Sequence, residues 1–205
     1  MILSTLNLGI LILAAGESKR LGRAKQLLDW NGETLLQKSI STAEQLSSKH
    51  NTEIHIVLGA RCNELLPYIK NKDIVICHNE RWFTGIGSSI QCGIKEIESR
   101  GKFDAVLIML CDQPFITSDH LQKLLEQFST SEKGIVATSH SGVNGVPAIF
   151  DKKYFTEMLA LQGDQGAKRL IEKFDSVVEL IAFDDAKIDI DTMEDYINAQ
   201  YLSGH

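Results

Sequence analysis

The sequence has little proline and little cysteine, three and four residues respectively in 205. So few prolines, with fifteen glycines and no low-complexity stretch, exclude a collagenous segment and leave little material for a disordered tail. Cys62, Cys77, Cys92 and Cys111 stand at least 15 positions apart, so no CxxC pair exists for zinc or dithiol chemistry. Small buried thiols in a reducing compartment are expected rather than disulfides. A basic excess is also missing. Lys and Arg number 21 against 27 Asp and Glu, a formal charge of −6. That argues against a dedicated nucleic-acid binder but leaves a nucleotide substrate open, because a pocket needs only a few well-placed cations. The apolar start, Met1 to Ala15, is too short to span a bilayer. It has no Lys or Arg before Lys19, so it lacks the basic leading region of a secretion signal. Its second half reads as a buried strand, and the protein as cytoplasmic, with no membrane or nucleic-acid partner.

What is present is an alternation. Apolar runs occur at Gly9–Ala14, Ile54–Leu58, Asp73–Cys77, Ala105–Leu110, Gly134–Thr138, Val146–Phe150 and Val177–Ala182. Several are continuous in Val, Ile and Leu, as in strands buried on both faces of a helix-covered parallel sheet. Between them, helical spacing predicts helices over Thr34–Ser47, Ser88–Arg100, Ser118–Phe128, Lys152–Leu161, Gln165–Phe174 and Thr192–Tyr201. Alternating strand and helix implies right-handed βαβ units. Ala137–Phe150 has no room for a helix around Ser141-Gly142-Val143-Asn144-Gly145, which predicts a hairpin-like return and one antiparallel strand. The expected fold is therefore α/β: a three-layer α/β/α sandwich around a Rossmann-like, mostly parallel sheet with one antiparallel strand. Residues 1–205 read as one domain.

The most informative segment runs from Leu13 to Lys25. It leaves the carboxyl end of a buried strand, where open α/β sheets place ligands. Ala14, Ala15 and Gly16 are small enough for a ligand to approach the backbone, and Lys19, Arg20, Arg23 and Lys25 follow within seven positions. Two readings stand on these residues: a polyphosphate cradle, or a solvated basic surface loop. It is not a P-loop, because Gly16 and Gly22 are one position too far apart and Arg23-Ala24 follows instead of Lys and Ser/Thr. No GxGxxG is present. Gly85-Ile86-Gly87-Ser88-Ser89-Ile90 comes nearest but lacks the third glycine, which disfavours a dinucleotide-binding oxidoreductase. No GxSxG elbow or Cys–His pair offers a nucleophile.

The pattern Leu-Ala-Ala-Gly-x-Ser-x-Arg-x-Gly-x-x-Lys resembles the opening motif of nucleotidyltransferases of the molybdenum cofactor cytidylyltransferase type. These are relatives of the guanylyltransferase of the same pathway and, more distantly, of nucleotide-diphospho-sugar transferases. The resemblance continues in collinear order through Gln26-Leu27-Leu28, Trp30, Gly32, Thr34-Leu35-Leu36 and Asn79. It runs on through Trp82-Phe83-x-Gly85-Ile86-Gly87-Ser88-Ser89-Ile90-x-x-Gly93, Cys111-Asp112-Gln113-Pro114 and Gly145-Val146-Pro147-Ala148. It closes with Gly163-Asp164-x-Gly166-Ala167 and Asp189-Ile190-Asp191-Thr192-x-Glu194-Asp195-Tyr196. Each block is weak alone; the ordered set, covering nearly the whole chain, is specific.

The resemblance implies a Mg²⁺-dependent transfer of CMP from CTP to a molybdopterin-type molybdenum cofactor, with pyrophosphate released and a molybdoenzyme as a possible recipient. It implies that the backbone of Leu13, Ala14, Ala15 and Gly16 faces the nucleotide. Arg20 would pair with the β- and γ-phosphates, and Lys25 would sit on the α-phosphate. Gly85, Gly87, Ser88 and Ser89 would help hold base and ribose, although the serines read equally as helix N-caps. Asp112 and Asp191 would hold the metal, with Asp189 as runner-up to Asp191 and with Asp184 and Asp185 nearby. On residues alone, Asp112 also reads as a turn aspartate before Pro114. Asp191 also reads as charge against a helix N-terminus, capped at Thr192 with Asp195 three positions on. Gly145, Pro147, Gly163 and Asp164 would wall the acceptor side, flanked by His140 and Asn144. The preference for CTP rests on Ala15, where guanylyltransferase relatives tend to carry glycine. Met193 and Ala24 stand where the family commonly has proline, so looser loops are expected there. Two alternatives belong with this reading: a transferase using GTP or another phosphorylated acceptor, and a non-catalytic nucleotide-binding chaperone for the cofactor.

Overall fold

The computed structural model describes residues 6–47, 50–71 and 73–204; residues 1–5 of the apolar start lie outside them. In chain order the elements are β1 (Leu8–Ala14), β2 (Asp29–Trp30), β3 (Glu33–Thr34), α1 (Leu35–Ser47), β4 (Thr52–Leu58), α2 (Cys62–Leu65), β5 (Val75–His78) and α3 (Ile86–Ser99). There follow β6 (Ala105–Leu110), α4 (Ser118–Thr130), β7 (Ile135–His140), β8 (Val143–Asp151), α5 (Phe155–Leu159), α6 (Ala167–Lys173), β9 (Val178–Ala182) and α7 (Met193–Leu202).

Seven strands form one sheet in the order β5-β4-β1-β6-β8-β7-β9. β8 runs antiparallel to both neighbours and the remaining pairs are parallel. β1 is central because its residues are apolar at every position, so neither face can be left to water. Its side chains alternate strictly. Leu8, Ile10, Ile12 and Ala14 enter the core under α1 and α4, and Leu11 and Leu13 enter the core under α3, α5 and α6. Three layers result. Gly93 of α3 lets the helix lie on β1, since a Cβ there would collide with the Leu11 side chain. Among the described residues no helix is long and apolar enough to cross a membrane.

The chain fills β1, β4 and β5 outward to one side, then crosses back to place β6 on the other side of β1. A crevice therefore opens at the carboxyl ends of β1 and β6, the switch point at which such sheets bind ligands.

Several element boundaries differ from those expected. The helix expected over Lys152–Leu161 is a 3-10 turn, Lys152–Tyr154, followed by the short α5, with Asp151 capping the turn. α3 starts at Ile86, two residues before Ser88, because Gly85 takes the N-cap position. The β2–β3 hairpin was not anticipated; Asn31 and Gly32 turn it with φ of 57° and 86°, as a two-residue hairpin turn requires.

Candidate active site

The crevice is a cleft of about 630 Å³. Its floor is the end of β1 and the loop that follows, its far wall is Leu110–Asp112 at the end of β6, and its sides are Trp82–Ile86 with Ser89 and the side chains of Asp164 and Asp191. The β1–β6 register, Leu13 beside Leu110, sets the loop next to Asp112.

Asp191 arrives from 79 positions later in the chain by backbone pairing (191 less 112). The Ile190 N–H donates to the Asp112 carbonyl at 3.0 Å, and Gln113 Nε2 donates to the Ala186 carbonyl at 3.1 Å. Burial of Ala186 and Ile190 fastens that strand of chain to the fold. Thr192 then caps α7 with Asp195 in a reciprocal capping box, which confirms the expected N-cap and fixes the direction of Asp191.

Lys25 Nζ bonds Asp112 Oδ2 and, at 2.8 Å, Asp191 Oδ1. Arg20 Nη2 bonds the other Asp191 oxygen at 2.7 Å. Lys25 and Asp112 side chains are each 14% exposed, whereas Arg20 is 65% exposed at the rim. Burial by itself would lower the Lys25 ammonium, but the charge of Asp112 and the bonds to both carboxylates outweigh it and hold it above its usual value. Partial burial opposes ionisation of Asp191, and Lys25 with Arg20 still holds it below the usual carboxylate range. Burial pushes the Cys111 thiol up to about 12, so the cysteine beside Asp112 stays neutral and is no nucleophile.

Asp189 stands apart. Desolvation, reinforced by the Asp112 charge, pushes it up to about 6. It faces a second recess of about 290 Å³ that shares Leu13, Ile86 and Leu110 with the cleft. Asp184 and Asp185 lie in an exposed 3-10 turn.

The remaining expected residues divide. Leu13, Ala14, Ala15, Gly16, Gly85 and Ser89 line the cleft. Gly87 and Ser88 lie behind it: the Gly87 N–H donates to the Gly163 carbonyl, and the Ser88 hydroxyl donates to the carbonyls of Arg81 and Gly85. Neither serine is an N-cap, because both accept from buried Asn79 Nδ2 instead. Gly85 needs its φ of 106°, and any Cβ there would strike the Gly163 carbonyl. The four residues expected on the acceptor side are not brought together. Gly145 lines the second recess with His140 and Asn144, Asp164 lines the main cleft, Gly163 is engaged with Gly87, and Pro147 is buried in β8.

Sequence reasoning assigned no role to Gln26, which is 1% exposed beneath the loop. It also passed over Trp82 and Phe83 as cleft walls, although both stand in the motif blocks.

A divalent cation fits this arrangement. Asp112 Oδ1 is buried with no hydrogen-bond partner, while Asp112 and Asp191 converge on one ammonium. Among the described residues no group of three or more His, Cys, Asp or Glu is arranged to hold a metal by protein ligands alone. Two carboxylates completed by substrate phosphate and water is the arrangement Mg²⁺ favours.

The sequence profile of the MobA-like NTP transferase domain matches residues 10–178. The chain is 30% identical over 198 residues to the purine catabolism protein PucB of Bacillus subtilis, covering 90% of this chain and 91% of that one. It is 28% identical over 191 residues to the molybdenum cofactor cytidylyltransferase of Escherichia coli, covering 93% and 94%. Among solved structures, the homologue of Mycobacterium tuberculosis rv0371c from Mycobacterium sp. strain JC1 superposes with a TM-score of 0.80 at 27% identity, covering 97% of this chain and 98% of that one.

Proposed function

This chain belongs to the MobA-like NTP transferase family, and from that premise we propose that it transfers CMP from CTP to a molybdopterin-type molybdenum cofactor in the cytoplasm, releasing pyrophosphate. One observation carries the reading. Lys25, Asp112 and Asp191, from three distant parts of the chain, meet at the carboxyl edge of β1 and β6.

In this reading an oxygen of the acceptor's terminal phosphate attacks the α-phosphorus of CTP. The bond from that phosphorus to the bridging oxygen breaks, and its electron pair leaves with pyrophosphate. Lys25, held protonated, lies against the α-phosphate, where charge grows in the pentacovalent state. Arg20, at the rim, turns to the outer phosphates. Asp112 and Asp191 would hold Mg²⁺, which neutralises phosphate charge and favours departure of pyrophosphate. The protein's remaining work is to align the two phosphates and exclude competing water.

The choice of CTP over GTP rests on the wall at Ala15. A Cβ on Gly59 would lie 2.6 Å from Trp82 Cβ and 2.9 Å from Ala15 Cβ, so these three residues form a closely packed wall. The Ala15 methyl narrows it relative to a glycine, a difference worth about 1–3 kcal/mol between ligands.

One relative is named for purine catabolism and another for cofactor cytidylylation, so the test varies nucleotide and acceptor independently. Pyrophosphate release is measured with CTP, GTP, ATP and UTP, each with molybdopterin cofactor or a sugar phosphate, in Mg²⁺. CTP with the cofactor is expected to give the highest kcat/KM. A lead for GTP would overturn the nucleotide assignment, and a lead for sugar phosphate the acceptor. Tight nucleotide binding without pyrophosphate release would make the protein a carrier.

A further inference from the structure

We infer that Gln26 is a positioning residue for the nucleotide, locking the backbone of Ala14–Gly16 and the Lys25 segment into one preformed unit; this rests on the nucleotide reading above. The carboxamide is used at both ends. Nε2 donates to the Ala14 carbonyl at 3.1 Å and to the Gly16 carbonyl at 3.0 Å. Oε1 accepts from the Ser18 hydroxyl at 3.3 Å. Ser18 Oγ in turn accepts from the Lys25 N–H at 3.1 Å, which closes a circuit through both ends of the loop.

Each link has a steric or electrostatic reason. Ser18 sits in the left-handed region at φ 59°, and its carbonyl accepts from Leu21 and Gly22, so the loop doubles back sharply. One side-chain nitrogen reaches both carbonyls, because a primary amide supplies two donors at once. Drawing the Gly16 carbonyl toward Gln26 turns the Glu17 N–H the other way, since a trans peptide opposes the two. In the 3-10 turn Lys25–Leu27, Gln26 is buried while its neighbour Lys25 reaches Asp112. The turn thus transmits the loop's position directly to the ammonium.

A preformed loop acts on binding. Without Gln26 the loop samples other arrangements, and the nucleotide must order it; once bound, its phosphates hold the loop in place. The loss should therefore appear in KM and Kd more than in kcat.

The test is Gln26→Met, which keeps the volume and removes all three bonds. Kd for CTP with Mg²⁺ is measured by calorimetry, and amide hydrogen exchange is followed across residues 14–26 of the full chain. The expected result is a Kd weaker by about tenfold, from the buried Ala14 carbonyl left unpaired and a Gly16 carbonyl no longer held. kcat at saturating CTP should stay within about threefold of wild type, with exchange faster in the loop and unchanged in β1 and β6. A wild-type Kd, or a loss confined to kcat, or faster exchange throughout the sheet, would overturn the inference. Ser18→Ala guards against failure of Gln26→Met to fold. It opens the same circuit at the surface and should weaken Kd in the same direction, and no change in either Kd or loop exchange would also overturn the inference. If wild-type protein binds none of the four nucleoside triphosphates, the functional reading fails, and loop exchange still decides the role of Gln26.

Discussion

The sheet carries a group of charges at each end, and only one of them is a candidate site. At the carboxyl edge stand Lys25, Asp112, Asp191 and Arg20. At the amino edge Glu53 lies 2.6 Å from Lys102 and 3.1 Å from Arg100, with His55 Nε2 at 3.2 Å but outside hydrogen-bond geometry. Glu53 Oε1, like Asp112 Oδ1, accepts no hydrogen bond, although Arg100 Nη1 stands 3.1 Å from it as an ion pair. A buried carboxylate oxygen without a hydrogen bond is therefore not enough. What separates the two groups is place. The carboxyl edge sets two carboxylates around one ammonium on the wall of a cleft, whereas at the amino edge Glu53 and Glu96 share Arg100 and Glu53 also meets Lys102, and none of these lines that cleft. The first arrangement suits chemistry on a phosphate; the second ties β4 to the start of β6.

The comparison is broken most directly by removing one charge from each group. Lys25→Ala is expected to lower kcat by about 10²–10³, the usual effect of deleting one transition-state charge partner, with a smaller effect on CTP affinity. Glu53→Gln should leave kcat unchanged and lower only the unfolding midpoint. Steady-state kinetics with CTP and the acceptor decide both. Unchanged kcat in Lys25→Ala would remove Lys25 from the mechanism.

The amino edge should instead reveal itself in acid. Burial, only partly offset by the Glu53 charge, lowers His55 to about 4 from an ordinary 6.5. The folded state thus keeps the imidazole neutral while the unfolded chain takes up a proton. The sign follows: this contribution is intact above pH 6.5, declines as pH falls toward 4, and changes no further below that. It amounts to about 3 kcal/mol over the window. Urea unfolding of wild type and His55→Leu at a series of pH values checks it. The variant should flatten this part of the profile, and parallel curves would show that His55 is not the titrating group.

Most of the framework was legible because it is local. β1, β4 and β6 are unbroken apolar runs, and their chain order with the intervening helical periods leaves few topologies. The loop after β1 was legible as phosphate chemistry only through the ordered motif blocks, since four cations in a loop equally describe a solvated surface. What stayed hidden depends on partners distant in sequence. Ser88 and Ser89 look like caps, yet they are taken up by Asn79. Gln26 looks like any polar residue until the carbonyls above it are seen. The β2–β3 hairpin is a different omission: Asn31-Gly32 is a strong turn signal, but the strands it joins are only two residues long.

A smaller effect sharpens the account of the carboxyl edge. Lys25 and Arg20 satisfy three of the four oxygens of Asp112 and Asp191. A divalent ion arriving without triphosphate must displace an ammonium and add charge where two cations already stand. Mg²⁺ alone is therefore expected to leave the thermal midpoint of wild type unmoved. Mg²⁺ with CTP at a hundred times its Kd should stabilise it by about 2.7 kcal/mol. In Lys25→Ala the metal alone should raise the midpoint. Differential scanning fluorimetry reads all of these arms, and an equal shift in wild type with and without CTP would contradict the charge argument.

The smallest effect concerns how rigidly Asp191 is presented. Met193 is the first residue of α7 and 38% exposed, so its side chain contributes little packing. Thr192 before it is extended, with φ −126° and ψ 168°, the conformation that a following proline demands. The first amides of a helix have no intrahelical acceptor, so losing the N–H at position 193 leaves no broken ladder. Met193→Pro should consequently stabilise the fold by about 0.4–1 kcal/mol, through the unfolded chain's lost freedom rather than through any new contact. The capping box is untouched, because it uses the amides of Thr192 and Asp195. A matched proline at an exposed position in a loop far from the cleft supplies the control. If both raise the unfolding midpoint but only Met193→Pro lowers the KM for CTP, the rigidity of the turn into α7 limits how well Asp191 meets its partners. A lower midpoint in Met193→Pro would mean that the backbone at residue 193 departs from the helical φ that proline fixes.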